Sequence, residues 1–283
     1  MAPVTAVMIP NRCYACGGAE HERQIGVNSV LVCVDCGMGR VLGEPMARAY
    51  WSHDDPEAAL SEVYWAARRT MFSGALREFA RRIGGPGRIL DLGGGVGHFA
   101  ELALAGGWDA YSTDLSELAA AAAAERLGPG RSLLSSDDPE LQGTFDVVTL
   151  WCVVAHVADP VALLESAARL LRPGGQMLIA TPNFLFQNPY ARLLNRLGRP
   201  LDLRQADHLL NFTPKAIQLV TERAGLRNAS FHYFGVTEEC LAHRGLGRAL
   251  VPLKRVWNRV GASAVRVGLP PLGGDLQVIV AKP

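Results

Sequence analysis

The eleven residues Ile89-Leu90-Asp91-Leu92-Gly93-Gly94-Gly95-Val96-Gly97-His98-Phe99 constrain this chain more than any other stretch. An apolar run that ends in an acid and opens into closely spaced glycines reads as strand, tight turn and helix start. Glycine turns at positive φ and puts no Cβ between backbone and ligand. A second acid, Asp114, follows Gly93 by 21 residues, at the end of the apolar run Trp108 to Thr113. A ribose-binding acid belongs at that distance. The glycines at 93, 95 and 97 depart from the dinucleotide pattern, which needs its third glycine one position later. Asp91 adds an electrostatic objection, because a carboxylate two residues before the turn repels a pyrophosphate on the helix N-terminus. A ribose-bearing ligand with a cation and no phosphate fits this stretch better.

S-adenosylmethionine meets that description, with an ammonium, a sulfonium, a ribose diol and an adenine. Through these motifs the sequence resembles the class I S-adenosylmethionine-dependent methyltransferases, over roughly residues 60 to 283. The resemblance implies that Gly93, Gly95 and Gly97 lie under the methionine and ribose, with Asp91 at the same turn. It implies that Asp114 takes the ribose hydroxyls and that Leu115 lines the same pocket. It places an adenine-binding acid in the loop Ser135-Ser136-Asp137-Asp138-Pro139, where Asp137 and Asp138 are both candidates. An ordinary Asx turn accounts for an Asp-Pro pair equally well.

From Arg88 onward strand and helix patterns alternate, the signature of a parallel sheet covered on both faces. With the resemblance, the expected class is α/β: a Rossmann-like, seven-stranded, mostly parallel sheet with helices on both faces and its last strand antiparallel. Ser116, Asp159 and Thr213 stand where N-caps are needed, the latter two followed by Pro160 and Pro214 at the first helical position. Residues 183–212 read as about thirty irregular residues, long enough to be a functional lid. Ligands of such sheets bind beyond the carboxyl ends of the strands, so this lid is expected over the transferred methyl.

Upstream, Cys13-Tyr14-Ala15-Cys16 is followed after sixteen residues by Cys33-Val34-Asp35-Cys36. Two C-x-x-C turns at this distance have the spacing of a structural four-thiolate zinc site, in a ribbon too small to fold without metal. Disulfides are disfavoured in a reducing compartment, and a redox motif needs one such pair in a different fold. The expected organisation is a zinc ribbon over 1–44, a helical cap and linker over 45–87, and the methyltransferase domain over 88–283. That domain includes the lid at 183–212 and a basic insertion at 236–274. In the cap, which also carries Arg68 and Arg69, the aromatics Tyr50, Trp51, Tyr64 and Trp65 read first as core, with Tyr64 or Arg69 as candidates to meet the cofactor.

After the fourth strand of the domain the chain reads Trp151-Cys152-Val153-Val154-Ala155-His156. Trp151 and Cys152 are expected to line the cofactor pocket. Ubiquinone-biosynthesis-type relatives carry acids where this chain has Cys152 and Ala155, so a catalytic metal here loses its ligands. Two histidines are candidate general bases. His208, in the lid sequence Asp207-His208-Leu209-Leu210-Asn211-Phe212, is preferred over His156, and each has a packing or anchoring role as its alternative.

Charge is nearly balanced, with 28 Lys plus Arg against 27 Asp plus Glu, so no global field advertises nucleic acid. Residues 1–10 lack a basic start and a long apolar core, and no apolar run reaches membrane-spanning length. The reading is a cytoplasmic enzyme with no stable membrane insertion. The expected function is methyl transfer from S-adenosylmethionine to a small molecule, chiefly O-methylation of a natural-product or sugar hydroxyl. The insertion's six basic residues and absence of acids, counted from Cys240 to Gly274, put an anionic acceptor or a membrane-surface contact among the candidates. The alternatives are an RNA methyltransferase that reads RNA with the ribbon, a sugar C-methyltransferase, and a cofactor-binding protein without activity.

Overall fold

The β-branched and aliphatic run Phe145–Trp151 and the shorter Arg88–Leu92 are apolar on both sides, as strands buried on two faces must be. They are the middle of the sheet. The structure is a computed structural model and describes residues 12–42, 68–198, 203, 208–234, 256, 260, 263–265 and 274–283. Tyr50, Trp51, Tyr64, Trp65 and Asp207 lie outside the described residues, as does nearly all of the basic insertion.

In chain order the elements begin with β1 (Glu20–Ile25), β2 (Asn28–Cys33), β3 (Gly39–Val41) and α1 (Arg69–Ile83). The alternating part runs through β4 (Arg88–Leu92), α2 (His98–Ala105), β5 (Asp109–Thr113), α3 (Glu117–Leu127), β6 (Ser132–Leu133), β7 (Phe145–Trp151), α4 (Pro160–Leu170) and β8 (Leu171–Pro182). Then follow α5 (Phe184–Arg196), β9 (Leu210–Asn211), α6 (Pro214–Arg223), β10 (Arg227–His232) and β11 (Asp275–Ala281).

Seven strands form the main sheet in the order β10-β11-β8-β7-β4-β5-β6. The pairs from β8 through β6 are parallel, and β11 is antiparallel to both its neighbours. The expected class and reversed strand are therefore present. The chain departs from β4 first toward β5 and β6, then crosses to β7, which makes the carboxyl ends of β4 and β7 the topological switch point. The caps fall where the sequence puts them: Ser116 accepts from the Ala119 amide, Asp159 from Ala162 and Thr213 from Ala216.

One face of the sheet is covered by α1 to α3 through Phe72, Phe79, Phe99 and Ala123. The other is covered by α4 and α6 through Leu164, Ala167, Ile217 and Val220. That second core does not stop at the sheet. It runs without a break into Cys13, Ala15, Cys33, Cys36 and Met38 of the ribbon, so the ribbon is no free appendage.

Two expectations are corrected. The strand expected at Gln176 to Ala180 extends over Leu171–Pro182, with a register break between Leu171 and Gln176 where the Pro-Gly-Gly turn bulges out. The lid is not irregular throughout, because Phe184–Arg196 is a helix capped by the Asn183 side chain. Pro189 inside it and its polar neighbours mask the period, and the helix is held by burying Phe184 and Ala191 against Ile25, Val30 and Val41 of the ribbon. The domain division is also blurred. The ribbon sheet has four strands in the order β1-β2-β3-β9, and β9 belongs to the lid. Among the described residues no helix is long and apolar enough to cross a membrane.

Candidate functional site

The site is built at the carboxyl ends of β4, β5 and β7. Gly93 follows β4 with φ +69°, and a Cβ there would meet Val153 Cγ2 at 2.7 Å, so both conformation and space demand glycine. Gly94 has no room either: its Cβ would overlap the Ser112 hydroxyl and lie 2.7 Å from Asp91 Oδ2. The Gly94 amide donates to the Thr113 carbonyl at 2.9 Å, tying the turn to β5. Gly95 and Gly97 also have positive φ, and Gly97 starts α2. The backbone thus presents itself bare, as close ligand approach requires.

Asp114, at the end of β5, sews this turn together. One carboxylate oxygen accepts from the Gly95 amide and the other from the Ser116 amide, both at 2.9 Å. The two amides thus hold the carboxylate at the glycine turn. Leu115 beside it is 86% exposed and Leu134, past the end of the neighbouring β6, is 53% exposed. The tandem acids divide their work. Asp138 is spent on an Asx turn, accepting from the Glu140 amide at 2.9 Å, while the Asp137 side chain is exposed.

Asp91 lies under the turn, 3% exposed, accepting from the Thr149 hydroxyl at 2.7 Å. Burial pushes its carboxyl up to about 7; the Thr149 hydrogen bond opposes that and the nearby Asp114 adds to it. An unfolded chain gives up this proton near 3.8 and the folded one near 7, so folding stability falls as pH rises between those values. The loss is on the order of 4 kcal/mol when complete. Asp91→Asn is expected to abolish that slope. Thermal unfolding of variant and wild type at pH 5 and pH 8 checks it, and an unchanged difference between the two would mean the carboxyl is ionised throughout.

Trp151, expected at the cofactor pocket, is packed into the core from one side. Its ring is 9% exposed and packed against Phe72 and Phe99, with centroids 4.8 and 5.4 Å away, so the indole is core on the α1–α2 face. Its buried Nε1–H has no hydrogen-bond partner, the one polar atom this residue has to offer. Cys152 is next, at φ +65°, a left-handed conformation rare outside glycine. Its amide donates to the Ala180 carbonyl, and its Sγ lies 3.7 Å from His208 Nε2. The His156 ring lies 4.9 Å from that of His208. The two candidate bases, far apart in sequence, thus share one corner with Cys152 above the switch point.

The four cysteines are equally close. Cys13 Sγ is 3.5 Å from Cys36 Sγ, Cys16 Sγ is 3.4 Å from Cys33 Sγ, and all four sulfurs lie within 4.8 Å of one another. A tetrahedron with metal–sulfur bonds of about 2.3 Å has edges of about 3.8 Å, so the donor set fits such an ion. Without one the thiols are in conflict: the shared hydrogen bond pulls Cys13 down to about 5 and pushes Cys36 up, and burial pushes Cys16 up to about 11. Among the described residues this is the one group of three or more His, Cys, Asp or Glu side chains so gathered. The glycine turn was legible in the sequence, whereas the parts played by Gly94, Thr149 and β9 were not. Of these only Gly94 carried a signal, as the middle one of the three consecutive glycines at 93 to 95.

A glycine turn spaced for a phosphate-free ligand, at the switch point of a seven-stranded sheet with one reversed strand, defines a class I S-adenosylmethionine-dependent methyltransferase. A family model described as a methyltransferase domain matches residues 64–230, more than half of the chain, and the chain belongs to that family. Its relatives include a ubiquinone biosynthesis O-methyltransferase of Caulobacter sp. (strain K31), 32% identical over 179 residues, covering 61% of this chain and 66% of that one. The protein of the same name from Azotobacter vinelandii is 28% identical over 179 residues, covering 61% and 70%. Among solved structures, an S-adenosylmethionine-dependent methyltransferase of Thermotoga maritima, a possible histamine N-methyltransferase, superposes with TM-score 0.51 at 16% identity, covering 83% of this chain and 100% of that one. A chain from the complex of the Haloferax volcanii Trm112 methyltransferase activator with a methyltransferase gives 0.52 at 17% identity, covering 82% and 99%. These similarities carry the fold.

Proposed function

We propose that this enzyme methylates a hydroxyl group of a small molecule, with His208 as the general base and zinc in the four-cysteine site. The observation that carries this reading is the corner formed by His208, His156 and Cys152 at the end of β7, beside a glycine turn and Asp114. The names of the relatives, which are O-methyltransferases, favour oxygen as the acceptor atom. S-adenosylmethionine supplies, when bound, an electrophilic methyl group on a sulfonium centre.

The chain's residues then have distinct tasks. Asp114, held at the glycine turn by the Gly95 and Ser116 amides, takes the ribose diol. Asp91, close to neutral pH in its titration, gives up its proton when a cation arrives over the turn and so matches the ligand's charge. Leu115 and Leu134 cover the adenine, and Asp137 accepts from its amino group. An in-line displacement needs an aimed nucleophile, and a hydroxyl must also shed its proton. His208 takes that proton at a ring nitrogen. The second base candidate, His156, lies against it and is assigned to packing and orientation.

The zinc holds the ribbon and takes no part in chemistry, since four thiolates close its coordination. The reading with RNA as substrate is disfavoured by the way the ribbon is seated. Lys215 donates to the Asp35 carbonyl, Thr213 to that of Cys36, and Arg223 to those of Tyr14 and Ala15, so both knuckles face α6.

The test pairs two measurements on His208→Ala. Titration with S-adenosylhomocysteine is expected to give an affinity within about twofold of wild type, while turnover falls about a hundredfold, the usual loss of a general base. Catechol, methyl glucoside and histamine serve as acceptor probes, read by the mass gain of one methyl. Methylation of histamine alone would replace oxygen by nitrogen as the acceptor, and parallel loss of affinity and turnover would remove His208 from the role of base.

A further inference from the structure

His208 sits at the end of a segment strung between two other parts of the molecule. On one side the Leu210 amide donates to the Ala155 carbonyl at 3.0 Å, in the loop that carries Cys152 and His156. On the other side the Leu209 carbonyl accepts from the Val41 amide at 3.0 Å, and Leu210 and Asn211 pair with Arg40 and Gly39 of β3. A two-residue strand has no stability of its own. Its place is set by whatever it pairs with, and here one partner is the catalytic loop and the other is the ribbon.

The ribbon in turn is held at both ends. Its knuckles are gripped by Thr213, Lys215 and Arg223 of the cap and helix that follow β9; the Thr213 bond to the Cys36 carbonyl is 2.5 Å and buried. Its sheet lies on Phe184 at the start of α5, where Gly39 leaves no room: a Cβ there would be 2.6 Å from Phe184 Cε1. Phe184 is 1% exposed, enclosed with Ile25, Val30 and Val41, and its amide donates to the Phe212 carbonyl beside β9. Among the described residues, the backbone hydrogen bonds of Leu209 to Asn211 run to the catalytic loop and to β3 of the ribbon, and those of the next residue, Phe212, run to Asn183 and Phe184.

We propose that the ribbon is a positioning part of the catalytic centre: β3 holds β9, and with it His208, against the loop after β7, so that metal occupancy of the four cysteines decides whether the base is in reach. Gly39 and Thr213 are positioning residues in this device. The inference rests on the reading of His208 as the base, but the position of β9 is measurable without any acceptor.

The experiment is hydrogen exchange on the full chain loaded with zinc, alongside titration with S-adenosylhomocysteine. In Gly39→Ala the amides of Leu209 to Phe212 are expected to exchange at least about tenfold faster, while the strands β4 and β5 and the cofactor affinity stay within about twofold. Gly39→Ala with Phe184→Leu, which makes room for the added methyl, is expected to restore slow exchange. Removing zinc with a chelator is expected to do what Gly39→Ala does. Should Gly39→Ala fail to fold, Lys215→Met with Arg223→Met loosens the same seat from the surface, with about threefold faster exchange over the same amides. Unchanged exchange in these variants would mean that β9 is held by the catalytic loop alone and would overturn the proposal. So would acceleration spread evenly over the main sheet with loss of cofactor affinity, because the ribbon would then support the fold as a whole. Were the exchange to respond as expected while His208→Ala still methylated catechol at the wild-type rate, the clamp would stand and the assignment of the base would fall.

Discussion

Cys36→Ser is expected to leave the protein with less than stoichiometric zinc and a ribbon that melts ahead of the rest. The physical argument starts with the donor set. Serine offers a hard, protonated hydroxyl where the site needs a soft thiolate, so one of four bonds is lost outright. Structural zinc in small ribbons contributes about 10–16 kcal/mol of apparent binding energy, and that energy is folding energy because no site exists in the unfolded segment. Cys36 is also 4% exposed and adjoins Met38, Thr213 and α6, so its knuckle cannot open without exposing the apolar core it shares with Ile217. The main sheet is covered on its other face by α1 to α3, independent of the metal. Calorimetry should therefore show a separate transition, or a single one lowered by more than about 5 °C, with the helix signal largely retained. Metal content by atomic absorption checks the first half. A variant that still binds one zinc per chain and melts like wild type would show that the four sulfurs are not the site.

Asp114→Ala is expected to weaken S-adenosylmethionine binding by about a hundredfold or more, which corresponds to about 2.8 kcal/mol. Two losses combine, against one smaller gain. The ribose diol loses its charged acceptor, and hydrogen bonds to charged groups are worth about 1.5–3 kcal/mol each. The Gly95 and Ser116 amides lose theirs as well, so the turn is no longer fixed in the shape that leaves its backbone bare. The repulsion that helps keep Asp91 protonated also disappears, which lowers its carboxyl pKa in the free protein and offsets part of the loss by favouring the ligand's cation. Calorimetric titration with S-adenosylmethionine, and NADH as control, measures this. An affinity within about threefold of wild type would dismiss Asp114 as the ribose acceptor.

These two experiments fall on parts of the chain that were legible to different depths. The glycine turn and Asp114 could be located from sequence because the bonds that tie the turn to β5, from the Gly94 amide to Thr113 and from the Gly95 amide to Asp114, are made within one strand–turn–helix–strand unit. The same holds for the caps at Ser116, Asp159 and Thr213, each of which answers an amide two or three residues ahead. Between Asp137 and Asp138 the structure adds one more local fact, that Asp138 accepts from the Glu140 amide. The contacts of Trp151 were not legible, because a large aromatic at a strand end is equally suited to pocket and core, and its partners Phe72 and Phe99 come from two other helices. Helix α5 was missed because its stability comes from the ribbon it packs on and not from its own propensity.

The sequence by itself determined that there would be a doubly covered α/β sheet with a glycine turn for a phosphate-free nucleoside ligand, and a four-thiolate knot near the start. Periodicity, spacing and the chemistry of single side chains suffice for that, since each acts over a few residues or a fixed separation. Only the tertiary structure decided that His208, His156 and Cys152 meet, and that the knot is fastened to the strand beside His208 through β3, Thr213 and Phe184. A two-residue strand carries no pattern that names its partner. The pairing of β9 with β3 is chosen by burial and hydrogen bonding summed over segments some 170 residues apart, and those sums exist only once the chain has folded.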